Sequence, residues 1–315
     1  MVTRPGARCS GQRVSTLSRQ ARGPGKYVRE DHRTARAVIR YGIMEIVHYV
    51  ESGIGTPVVL LHAFPVDARM WQGVRTELED HVRVIAPDQR GMGQRSSREA
   101  ATSELTSDDP QRTVPEEPGM ETVAEDVLAL LDQLRLRRAY VAGCSMGGYV
   151  AMAMARKAPE RLEGMILADT KAEADSAEQR DNRLRIADRA EREGITGWLA
   201  ENTLPGILGD TTRQRRGNVV EQARELVEQQ PPAGVAWAQR AMANRPDSSE
   251  TLRAYRGPAL VLAGTEDTLC PPRSARDTAA LLPRSEVVTL PEAGHLSPLE
   301  TPEAFAHAVR EWLGE

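Results

Sequence analysis

Residues 139–148 read Ala-Tyr-Val-Ala-Gly-Cys-Ser-Met-Gly-Gly, and a small-residue segment from Tyr149 to Ala155 follows directly. This stretch constrains the backbone more than any other in the chain. A short apolar run closing on a glycine reads as a strand buried on both faces, and the small-residue segment reads as a helix. Strand and helix must then meet in a sharp turn, which the GxSxG spacing of Gly143, Ser145 and Gly147 permits because the flanking glycines carry no Cβ to clash. A serine held there has its hydroxyl pushed out of the sheet, at the positive end of a helix. Ser145 is therefore the candidate nucleophile. Taken alone the motif also fits a serine that merely caps a glycine-rich helix, so the rest of the chain must decide.

The remaining sequence alternates in the same way. Thr34 to Ile39 and Ile43 to Val50 read as two strands joined at Tyr41-Gly42, an antiparallel start to a sheet. Pro57 to His62 and His81 to Ala86 are continuous apolar runs, as expected of buried parallel strands, and Asp67 is placed to cap a helix reaching Leu78. Val123, Val127, Leu128, Leu130, Leu131 and Leu134 form the buried stripe of an amphipathic helix. Further strands are expected at Leu162 to Ala168, Ala259 to Gly264 and Glu286 to Leu290, with helices from Ser274 to Leu282 and from Pro302 to Leu313.

Two stretches break the alternation. Ser96 to Gly119 is polar, rich in Ser, Thr, Glu and Pro, and reads as a long loop. Residues 170–256 show no strand-like run but a charged helical stretch from Ala172 to Glu193, breaks at Gly194 and Pro205-Gly206, and helices near Val219 to Glu228 and Val235 to Ala243. An all-helical insertion between two strands reads as a cap. The expected layout is an α/β core at 34–169 and 257–315, with the cap at 170–256.

Charge is unevenly distributed. Residues 1–40 hold ten Arg or Lys against Glu30 and Asp31, so this arm is about +8 and the remainder about −12 within a net −4. Such an arm could touch nucleic acid or anionic lipid, or imitate an organellar transit peptide, yet it has no aromatic or helical stripe to support these roles. Residues 1–33 are expected to form a disordered extension, with no nucleic-acid or membrane partner. No apolar run approaches the ~20 residues of a membrane span and no secretory h-region opens the chain, so a cytoplasmic protein is expected. Cys9, Cys144 and Cys270 are too scattered for a disulfide framework, and no CxxC, HExxH, P-loop or complete dinucleotide motif appears. No cofactor and no metal are expected.

The order of HAFP (His62 to Pro65), DxRGxG (Asp88 to Gly93), GxSxG (Gly143 to Gly147), GTEDTLCPP (Gly264 to Pro272) and AGHLSPLE (Ala293 to Glu300) resembles the α/β-hydrolase fold superfamily over about residues 35–315. The resemblance implies an α/β fold with a mostly parallel eight-stranded sheet flanked by helices and a helical cap inserted after strand 6. It also implies a triad of Ser145 as nucleophile, His295 as general base and then acid, and Asp267 as the acid behind the histidine, in the chain order Ser, Asp, His. The backbone amides of Phe64 and Met146 would then form the oxyanion hole, with Ala63 standing where the family usually has glycine.

Rivals exist at two positions. His62 could replace His295, though in the HAFP turn the family's histidine usually shapes the loop. Asp169 ends the strand before the cap, where some family members carry the acid. Asp88 and Arg90 read as structural. A serine at the elbow argues against epoxide hydrolases and dehalogenases of the family, which use aspartate, and Leu296 replaces the tryptophan common in carbon-carbon cleaving members. The implied reaction is hydrolysis of a small carboxylic ester or lactone through an acyl-enzyme. Alternatives are a cofactor-free haloperoxidase or perhydrolase, and a binding protein that kept the fold. Trp198, Leu199, Leu204 and Trp237 are candidates to line an acyl pocket, with packing of the cap as their other reading.

Overall fold

The computed structural model describes residues 40–43, 48–93 and 118–315. The basic segment 1–33 and nearly all of the polar stretch 96–119 lie outside the described residues.

Eight strands build one sheet: β1 (Arg40–Ile43), β2 (His48–Ser52), β3 (Pro57–Leu61), β4 (Arg83–Pro87), β5 (Ala139–Cys144), β6 (Leu162–Ala168), β7 (Ala259–Gly264) and β8 (Ser285–Leu290). Their order across the sheet is β1-β2-β4-β3-β5-β6-β7-β8. β1, β2 and β4 pair antiparallel, and every pairing from β4 through β3 to β8 is parallel. The continuous apolar runs are the parallel strands, as burial on both faces requires. Because β3 lies between β4 and β5, the chain reverses its direction of travel across the sheet there. Open α/β sheets form their binding crevice at such a switch point, outside the carboxyl ends of the strands.

Alternate side chains of these strands feed two cores. Val58, Leu60, Ala142, Ile166 and Leu260 pack with Trp71 and Phe305, whose rings meet edge to face at 5.5 Å. Val59, Leu61, Val141, Met165, Leu167 and Val261 pack with the apolar faces of α2 (Met120–Gln133) and α3 (Met146–Lys157). Before these helices comes α1 (Gln72–Leu78), led in by a 3₁₀ turn at Ala68–Trp71 that Asp67 caps through Arg69 N at 3.0 Å.

Six helices lie between β6 and β7: α4 (Ala177–Glu193), α5 (Leu199–Ile207), α6 (Asp210–Arg215), α7 (Gly217–Glu228), α8 (Pro232–Ala243) and α9 (Ser249–Ala254). Ser176 and Gln179 form a reciprocal capping box that starts α4, and Gly194 at φ +72° ends it. After β7 come α10 (Pro272–Leu281), the single turn α11 (Ser297–Glu300) and α12 (Pro302–Leu313).

Two sequence expectations need correction. Tyr41-Gly42 is not a turn but lies inside β1, paired with Val50 and Tyr49. Glycine is a turn signal by composition, and here strand pairing overrides it. Pro205-Gly206 does not break a helix either, since both residues belong to α5. Proline forfeits its own backbone donor and crowds the carbonyl four residues back, and two residues before the helix end little of the helix remains to be disrupted.

Candidate active site

Ser145 sits between β5 and α3 with φ +52° and ψ −110°, a conformation that costs a non-glycine residue ~1–3 kcal/mol. Its neighbours hold it there. Ser145 N donates to Ala168 O at 2.9 Å, and Ser145 O accepts from Gly148 N and from Thr170 Oγ1, each at 2.9 Å. A Cβ on Gly143 would lie 2.2 Å from Gly147 O, and one on Gly147 would lie 2.1 Å from Leu61 O. Both positions therefore exclude any side chain, and the strand, the turn and the end of β3 are locked together.

The serine hydroxyl meets His295. Ser145 Oγ lies 2.7 Å from His295 Nε2, and His295 Nδ1 lies 2.8 Å from Asp267 Oδ2. Because a carboxylate only accepts, Nδ1 carries the proton in the neutral ring and Nε2 is free to accept from the serine. Asp267 is itself fixed, its Oδ1 accepting from Leu269 N at 2.8 Å and Cys270 N at 2.9 Å. Burial presses the Asp267 carboxyl upward, but the His295 charge and hydrogen bond and the two amides outweigh it, so the group stays below the usual carboxylate range. Burial likewise opposes charge on His295, yet the carboxylates around it, Asp267 foremost, raise the imidazole above its ordinary value.

Asp169, the rival acid, is fully buried and turned elsewhere. Its Oδ1 accepts from Gly264 N at 2.9 Å and its Oδ2 from Ser297 Oγ at 2.5 Å. Burial and the repulsion of Asp267 push its carboxyl up to about 7. His62, the rival base, is buried and saturated: Nδ1 donates to Ala63 O at 2.9 Å, while Nε2 accepts from Gln89 N at 2.8 Å. It therefore staples the turn after β3 to the turn after β4. In that second turn Asp88 accepts from Ala68 N, and Arg90 forms a bidentate pair with Asp126 at 2.7 and 2.8 Å. Among the described residues neither the Phe64 nor the Met146 amide has a protein acceptor. Met146 opens α3, where a helix leaves its first N–H groups unpaired.

Sequence reasoning missed Glu300. This buried carboxylate accepts from Gly294 N at 3.0 Å and Leu296 N at 3.1 Å through Oε1, and from Gly209 N at 2.8 Å through Oε2. It thus clamps both neighbours of His295 to the segment between α5 and α6, and His295 N adds a bond to Ile207 O at 2.9 Å. Its place five residues after the histidine was visible in the AGHLSPLE motif, but only the fold reveals what the carboxylate touches.

Ser145 and His295 border a cavity of about 350 Å³, shared with Phe64, Tyr149, Ile207, Leu269 and Cys270. Its remaining lining comes largely from polar residues of the segment after β6 and of α4 and α5, including Lys171, Asp175, Gln179, Arg183 and Asn202. The expected apolar liners are not among them. Leu199 and Leu204 are buried in the core, Trp237 packs on the second core, and Trp198 donates to Gly194 O at 2.8 Å beneath the Arg189 guanidinium. Their hydrophobicity is used to hold the helices down, which is the commoner fate of such residues.

Asp267, Cys270 and His295 bring three potential metal ligands within 4.8 Å of one another. Both Asp267 oxygens and both ring nitrogens of His295 are already engaged in hydrogen bonds.

The sequence profile of the Alpha/beta hydrolase family matches residues 58–308. Over 267 residues the chain is 31% identical to the dihydrolipoyllysine-residue acetyltransferase component of the acetoin cleaving system of Pseudomonas putida, covering 82% of this chain but only 64% of that protein. It is 29% identical to 3-oxoadipate enol-lactonase 2 of Acinetobacter baylyi, over 76% of this chain and 82% of the relative. A thermophilic esterase from Thermogutta terrifontis, solved with malate bound, superimposes with a TM-score of 0.77 at 39% identity, covering 89% of this chain and 98% of the other. The fold, the elbow and the profile match converge, and the chain belongs to the alpha/beta hydrolase family.

Proposed function

We propose that this protein is a serine hydrolase of small carboxylic esters or lactones, acting through an acyl-enzyme on Ser145. One observation carries the reading: an unbroken hydrogen-bond path from Ser145 Oγ through His295 to Asp267, at 2.7 and 2.8 Å, opening on a cavity. The similarity to an esterase and an enol-lactonase supports the substrate class.

In the first half-reaction His295 Nε2 takes the serine proton as Oγ attacks the carbonyl carbon, and the new imidazolium is stabilised by Asp267. The oxyanion is received by the amides of Phe64 and Met146, each such donor being worth ~3–4 kcal/mol. His295 then returns its proton to the leaving alkoxide as the carbon–oxygen bond breaks. In the second half-reaction His295 deprotonates a water, which attacks the acyl carbon, and Ser145 leaves with the proton restored. The helices of residues 177–254 act as the cap that shapes the acyl site.

A p-nitrophenyl ester series from acetate to decanoate, run on wild type and Ser145→Ala, tests this reading. Serine-dependent turnover favouring short chains is expected, with a loss of about 10⁶-fold in kcat in the variant. Retained turnover with an unchanged melting curve would refute it.

A further inference from the structure

Among the described residues, the lining of the cavity beside Ser145 carries more positive than negative charge. Asp175 is the described carboxylate of its lining outside the triad, and it is shared by two guanidiniums: Arg183 Nε at 2.5 Å and Arg245 Nη1 at 2.8 Å. Arg245 is buried, with its guanidinium over the Tyr149 ring at 4.0 Å, and Tyr149 also lines the cavity. Two cations already face one anion in this cluster. Lys171 adds a third, and its described partner is the neutral Gln179 Oε1 at 3.2 Å. An ammonium has three donors and no acceptor, so it remains available to an anion. The Asp267 carboxylate cannot compensate, because His295 and two amides occupy it.

The backbone that carries Lys171 is held in place. The lysine follows Thr170, whose Oγ1 donates to Ser145 O at 2.9 Å. Asp169, the residue before Thr170, is anchored to Gly264 N. The lysine stem therefore springs from backbone tied to the elbow itself, and its flexible reach lies along the cavity wall. Amide side chains of Asn182 and Gln239 on the same lining supply further donors.

We propose that Lys171 is the anchor of a carboxylate subsite, so that the cavity accepts esters or lactones whose acyl part carries a free carboxylate a few carbons from the reacting carbonyl. The catalytic part of this statement rests on the hydrolase reading above; the binding part does not. During acylation the bond from Ser145 Oγ to the carbonyl carbon forms and the bond to the leaving oxygen breaks, while the remote carboxylate stays paired with the ammonium. Water then releases a dicarboxylate and one proton. A cavity of about 350 Å³ is at the small end of ligand sites, which suits a short diacid derivative.

Binding and turnover are measured in parallel. Glutarate is titrated calorimetrically into Ser145→Ala and into Ser145→Ala/Lys171→Met at low salt. Separately, kcat/KM for the 4-nitrophenyl half-ester of glutarate is divided by that for 4-nitrophenyl pentanoate in wild type, Lys171→Met and Lys171→Arg. The proposal expects glutarate affinity to fall at least tenfold on losing Lys171. It also expects the half-ester ratio to fall at least tenfold in the Met variant, to be largely restored by Arg, and to shrink in wild type as ionic strength rises. Glutarate binding that is absent, or indifferent to Lys171, overturns the subsite, as does an unchanged ratio with both esters hydrolysed. Lysine-dependent glutarate binding without turnover of either ester upholds the subsite and sinks the hydrolase reading instead.

Discussion

The two sides of the cavity are made by different physics. On the sheet side, Ser145, His295 and Asp267 stand on turns that directly follow β5, β8 and β7, held by backbone bonds and by approaches so close that Gly143 and Gly147 admit no Cβ. On the helical side, α4 and α5 present polar side chains, of which Arg183 pairs with Asp175 in the segment before α4, and Gly206 of α5 has open space where a Cβ would sit. On the proposed reading, chemistry resides where the backbone leaves no freedom, and selectivity where side chains can be exchanged. Glu300 is the bridge between them, bonding the histidine turn to Gly209.

The sharpest contrast is between two buried carboxylates on the sheet side. Asp267→Asn is expected to lower kcat about 10⁴-fold, because the amide can no longer hold the imidazole in the reactive tautomer. Asp169→Asn, which touches Ser297 and Gly264 and not the imidazole, should cost tenfold or less. Equal losses in steady-state kinetics would mean that the two acids share the role. The pH profile gives the sign. His295 must be neutral to accept the serine proton, and its pKa is raised, so the acid limb of kcat/KM should fall above the ordinary imidazole value of 6.5. Removing the Asp267 charge should move that limb to lower pH.

Glycine substitutions separate the two sides by stability. Gly147→Ala forces a Cβ to 2.1 Å from Leu61 O and should cost about 3 kcal/mol, read as a lower denaturant midpoint with unchanged slope. Gly206→Ala, with nothing within 4 Å of the new methyl, should be neutral or gain ~0.5–1 kcal/mol from helix propensity. Similar outcomes at both positions would erase the distinction.

At the bridge, Glu300→Ala strands three amides at once. It should destabilise by about 2–3 kcal/mol and lower kcat more than it raises KM, since the clamp positions His295 and is not assigned contact with substrate. Glu300→Gln keeps one acceptor oxygen and should lose less. A purely structural clamp would lower the melting temperature in both variants and leave kcat intact.

The same contrast explains what the sequence disclosed. The elbow, the histidine turn and the acid turn were legible because each needs particular residues at fixed spacing just past a strand, and His295 lies within hydrogen-bonding distance of both Ser145 and Asp267. Apolar runs likewise disclosed the parallel strands, which burial on both faces makes continuous. The liners on the helical side were not legible. Trp198, Leu199, Leu204 and Trp237 have the composition of an acyl pocket, but which face of a helix meets the cavity depends on how the helices dock. Lys171, Asp175 and Arg183 look in sequence like ordinary surface charge, and only their convergence shows otherwise. At Gly42 and Pro205 local signals for a turn were overruled by strand pairing and by the end of a helix.

The central claim is that His295 and the elbow make Ser145 the activated nucleophile. Its most direct measurement is peptide mapping by mass spectrometry after exposure to a fluorophosphonate ester, which acylating serines attack with loss of fluoride. The account predicts a single adduct on the peptide containing Ser145, formed far more slowly in His295→Gln. Labelling of another residue, or none on the folded protein, would contradict it.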